Sequence, residues 1–187
     1  MEEFTVNKFD VAERQLLQAI RMFFRQDDEI SVHTLAEAAN QVLSDIGSAY
    51  STTSVLRDND WVREDKKREW LRHLFKSRNF FKHADRDKND THVFKSCFNH
   101  FSLLDGVSMH GSIKKTWVPE TLVFQIWFST MYPELLIKES EFNKMIFEGI
   151  RTGQIPDPQN KLLLFQMITT LRSGISGFPN VKLEYGL

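Results

Sequence analysis

The sequence predicts an all-α fold, a helical bundle of about seven helices. Apolar residues recur at helical spacing along most of its 187 residues. No pair of alternating apolar runs meets at a turn dipeptide, so no β-hairpin is expected. No repeat of 20–50 residues points to a solenoid.

The first helix is expected from about Phe9 to Arg25, with Ala12, Leu16, Ala19, Ile20 and Phe23 on one face and Gln26-Asp27-Asp28-Glu29 breaking it. Ser31 is the expected N-cap of the second. Its Leu35, Ala38, Ala39, Val42, Leu43 and Ile46 form the cleanest amphipathic stripe in the chain, and Gly47 can end it. Residues 51–59 read as a polar connection, and Asp60 as the cap of one long helix through Lys82. Thr91 caps a helix expected through about Leu104, carrying Phe94, Cys97, Phe98 and Phe101. Residues 105–116 read as a loop. Pro119 suits the first turn of a helix to about Met131 that is apolar nearly all round, as a central core helix is. Two further helices are expected, Ser140 to about Thr152 and about Pro158 to Arg172. A glycine-rich end follows, a loose tail or short strand.

One domain, residues 1–187, suits this length, with a core over about 9–130 and a helical extension over about 131–187. The lone Cys97 cannot form an internal disulfide and reads as a buried thiol, which suits a reducing compartment. No secretory leader pattern and no run of 18 apolar residues appear, so a cytoplasmic protein with no membrane partner is expected.

The net charge of −1 argues against a dedicated nucleic-acid binder. Residues 63–88, however, carry ten Lys and Arg against five Asp and Glu. Such a local basic face attracts phosphate, or is a solvated helix face laced with i,i+4 pairs.

Several chemistries are set aside on motif grounds. Asp85, Asp87 and Asn89 superficially match the start of a calcium loop, but Asp90 stands where the turn glycine belongs and Ser96 where the bidentate glutamate belongs. His92, Cys97 and His100 match no standard zinc spacing. No nucleophile elbow and no phosphate-cradling glycine loop is present. The expectation is no metal and no cofactor. His33, in the first turn of the second helix, reads as a partly exposed polar residue.

There remains Arg78-Asn79-Phe80-Phe81-Lys82-His83. On an ideal helix Arg78 falls among Trp70, Leu71, Leu74, Phe75 and Phe81. A guanidinium on an apolar stripe must be paired, must snorkel, or must line a groove. His83 lies five residues on, so the two side chains diverge unless the helix ends or distorts near Lys82, or a second subunit supplies the partner.

This stretch resembles the signature of the HEPN family, the nucleotide-binding helical domains of many prokaryotic defence and toxin systems. That signature is an arginine, four to six residues, then a histidine, with a polar residue commonly after the arginine. Arg68…His73 and Arg86…His92 share the spacing, but only Arg78…His83 combines Asn79, an apolar-face arginine and a helix end. The resemblance implies a helical domain that dimerises so that both motifs face one cleft, and in active members a metal-independent ribonuclease. His83 would then move a proton, Arg78 bind phosphate and Asn79 orient them, with Lys76, Lys82 and Arg86 attracting RNA or a nucleotide. The alternatives are a non-catalytic helical module binding a nucleotide or an antitoxin-like partner protein, and a structural Arg78 paired with Asp45 or Glu37.

Overall fold

The computed structural model describes residues 3–57, 63–83, 85, 88–135, 140–174 and 182–184. Among them are eight α-helices and no β-strand: α1 Lys8–Arg25, α2 Glu29–Gly47, α3 Glu64–Leu74, α4 Lys76–Lys82, α5 Phe98–Lys114, α6 Pro119–Met131, α7 Glu141–Arg151 and α8 Lys161–Arg172. Asp60 and most of the glycine-rich end lie outside the described residues.

α1 opens on a capping box, in which Asn7 and Asp10 each accept the other's backbone N–H. It closes on Gln26 at φ 61°, and Asp27 N–H returns to Met22 O at 3.0 Å. This reversal turns the chain straight into α2, and the two helices pack together. α2 starts earlier than expected because Asp28, not Ser31, is the cap: its carboxylate accepts the Ser31 N–H at 2.7 Å. Gly47 ends the helix, and a single 3₁₀ turn, Ser48–Tyr50, follows.

α5 differs most from expectation. Residues 91–95 are not helical, while the stretch read as a loop continues α5 to Lys114. Its turn-forming residues serve packing instead. Asp105 is buried and bonded by Ser54, and Gly106 lets α1 and α2 approach closely.

α6 is the core helix. Leu122, Val123, Phe124, Ile126, Trp127 and Phe128 are all buried. Phe23 of α1 meets the Trp127 ring edge-on at 4.7 Å, a favourable aromatic geometry. α8 packs against α1 and α6, and Trp117 forms an isolated parallel bridge with Leu183. Among the described residues no helix is long and apolar enough to cross a membrane.

Candidate functional site

The expected long helix is two. Phe75, at φ −91° and ψ 3°, separates α3 from α4, and its ring lies beneath two guanidiniums, Arg78 at 4.0 Å and Arg57 at 5.0 Å from the centroid. Favourable cation–π contact rewards that break. The short α4 then presents three distinct faces.

The first face docks α4. Ser77 is buried with its Oγ 2.8 Å from His92 Nε2. Phe81 meets Phe94 at 5.3 Å and His33 at 5.7 Å. His33 is buried, not partly exposed as expected. Its Nδ1 lies 3.1 Å from Asn99 Oδ1, and its Nε2 has no hydrogen-bond partner among the described residues. Burial lowers the His33 pKa, with the negative charge of Glu37 opposing.

Arg78 occupies the second face and points toward α2. Its Nη1 donates to Gln41 Oε1 at 2.8 Å. The same Gln41 oxygen accepts from Arg57 Nη1 at 3.3 Å. Arg57 also donates to Glu37 Oε2 at 3.4 Å, and its Nε stands 4.0 Å from Asp105 Oδ2. Glu37 accepts a further bond from Ser102 Oγ, and Asp105 accepts from Ser54 Oγ and Leu56 N–H. Two cations and two carboxylates are thereby shared among α2, α4, α5 and residues 54–57. Burial lowers the Arg78 pKa, opposed by Glu37. Burial likewise lowers that of Lys82, and the neighbouring Arg78 charge adds to it. Burial raises that of Asp105, with the Ser54 bond opposing.

The third face opens onto a cleft of about 510 Å³. Arg72, Lys76, Asn79 and His83 line it at spacings of four, three and four residues, one continuous stripe across the Phe75 turn. Asp90, Thr91 and His92 form its other wall, and Phe80 and Asp85 complete the lining. The Phe80 ring lies 5.1 Å from that of His92.

Asn79, His83 and Lys76 are therefore together, and His92 joins them. Arg78 is not among the lining residues and neither is Lys82. Arg86 lies outside the described residues. The sequence placed His92 only among the rejected zinc candidates and at the end of the Arg86…His92 spacing, not beside His83; Ser77, fifteen residues earlier, and the Phe80 ring bring it to the cleft. Arg57 and Asp105 escaped it because both sit in stretches that read as irregular. Cys97 is exposed rather than buried, since α5 begins after it. No three His, Cys, Asp or Glu side chains among the described residues are arranged to hold a metal ion.

Compared with protein-family models, with curated proteins and with solved structures, the chain matches none.

Proposed function

We propose that the α3–α4 cleft takes a phosphodiester of RNA and cleaves it without a metal. The observation that carries this reading is the convergence of His83 and His92 with Lys76, Arg72 and Asn79 in one cleft. In such a reaction the 2′-oxygen attacks the adjacent phosphorus and the bond to the 5′-oxygen breaks, leaving a 2′,3′-cyclic phosphate. One group takes the 2′-hydroxyl proton and another gives a proton to the leaving oxygen. Imidazoles suit both roles near neutral pH. Lys76 and Arg72 supply fixed positive charge toward the phosphate oxygens, Asn79 orients, and Phe80 offers a ring on which a base stacks.

The HEPN-like signature supports a helical RNA-cleaving protein of defence or toxin type, acting as a homodimer. Arg78, engaged within its own chain, has a positioning role in this reading rather than a phosphate-binding one. A second reading, a non-catalytic nucleotide- or protein-binding module, draws on Asp85 and Asp90, whose carboxylates line the same cleft and offset its two cations.

The test is incubation with a mixed RNA pool in excess EDTA, with cyclic-phosphate ends assayed. Wild type is expected to cleave, and His83→Ala and His92→Ala to lose cleavage. Activity that survives both substitutions would locate the chemistry elsewhere. A folded wild type that binds RNA without cutting it would favour the binding module.

A further inference from the structure

We infer that the cavity bounded by residues 53–56, α5 and α6 is a binding site for an anionic amphiphile, a molecule with one carboxylate on an apolar body. The inference is independent of the RNA reading, because none of the cleft's residues lines this cavity. The volume is about 990 Å³, at the upper end of the ~300–1,000 Å³ usual for small-molecule sites. Phe101, Leu104, Val107, Trp117 and Phe128 give it an apolar lining.

Polar groups gather where α5 ends. Lys115 and Thr116, adjacent in sequence, both line the cavity. Lys115 stands at φ 62°, a left-handed conformation uncommon for a residue with a side chain. Its ammonium has no ion-pair or hydrogen-bond partner among the described residues. Lys115 is exposed at the rim. A carboxylate there would accept from its ammonium, while its apolar chain lay along Leu104 and Val107.

Gly111 adds an independent sign. It lines the cavity from within α5, and a Cβ built there meets nothing within 4 Å. Glycine disfavours a helix interior, yet here no neighbour demands it. Its effect is to leave the cavity open.

Calorimetric titration with decanoate below its micelle concentration, alongside the fluorescence of Trp117, tests the site. Wild type is expected to bind decanoate more tightly than decanol. Lys115→Ala should weaken decanoate about tenfold and leave decanol unchanged, the loss of one charge-assisted bond. Gly111→Leu should abolish both while keeping the helical circular dichroism, and Ser108→Leu, on the same wall, serves if that variant does not fold. Absence of wild-type binding, equal affinity for the acid and the alcohol, or binding undiminished in a folded blocking variant would each overturn the inference.

Discussion

Arg78 and His83 leave α4 on different sides: Arg78 Nη1 bonds Gln41 Oε1 of α2 at 2.8 Å, while His83 lines the cleft with Arg72 and Lys76. The helix does end near Lys82, but that end does not bring the two together. Their roles should therefore separate in stability measurements. Arg78→Ala removes a charge-assisted bond and the contact with the Phe75 ring, an expected loss of about 1–3 kcal/mol. His83 is exposed, so His83→Ala should change stability by less than about 0.5 kcal/mol. Urea unfolding of both variants checks this, and equal losses would contradict the separation.

The all-α fold and α1 were legible because a periodic apolar face dictates them, and α6 because Pro119 marks its first turn and its residues are apolar nearly all round. The break at Phe75 was not, because it is stabilised by Arg57, eighteen positions earlier in the chain. Nor was the helical course of residues 105–114, where Asp105 and Gly106 carry turn-forming character locally and are overridden by contacts with Ser54, Asn40 and Leu16. The stripe Arg72, Lys76, Asn79, His83 was present in the spacing. Its pairing with His92 was not, since that depends on the Ser77 and Phe80 contacts across the intervening chain.

The two glycines of α5 should respond oppositely to alanine. A Cβ at Gly106 would stand 2.5 Å from Asn40 Oδ1 and 2.8 Å from Leu16 Cδ1, where α5 meets α2 and α1. Overpacking of this kind destabilises by about 1–3 kcal/mol, more than the helix-propensity gain returns. At Gly111 the space is open, so Gly111→Ala should stabilise by up to about 1 kcal/mol. Thermal or urea unfolding gives the sign directly, and stabilisation by Gly106→Ala would contradict the close approach.

Asp105 holds residues 54–57 to α5. It accepts from Ser54 Oγ and the Leu56 N–H, and faces the buried Arg57. Among the described residues Asp105→Ala would leave Arg57 its ion pair with Glu37 but take this acceptor from Ser54 and Leu56, at an expected cost of about 1–3 kcal/mol. Asp105→Asn keeps an oxygen for Ser54 and Leu56, so its cost should be clearly smaller. Denaturant midpoints rank the two, and an alanine variant as stable as the asparagine one would remove Asp105 from this role.

His100 should make the fold acid-sensitive. Its Nδ1 lies 2.6 Å from the Tyr132 hydroxyl, and its ring packs edge-on to Trp127. Burial, aided by the positive charge of Lys161, lowers its pKa from 6.5 to about 4. The unfolded chain then takes up a proton that the folded chain resists. This contribution to stability is complete above about pH 6.5, declines as the pH falls, and is lost by about pH 4. At ~1.4 kcal/mol per pH unit, the drop between pH 7 and pH 5 is on the order of 2 kcal/mol. His100→Phe keeps an aromatic ring and carries no proton. The stability difference between wild type and this variant should therefore shift against the wild type by that amount over the same interval. Urea unfolding of both at pH 7 and pH 5 measures it. A difference that stays constant between the two pH values would mean that His100 accepts its proton in the folded state as readily as in the unfolded chain.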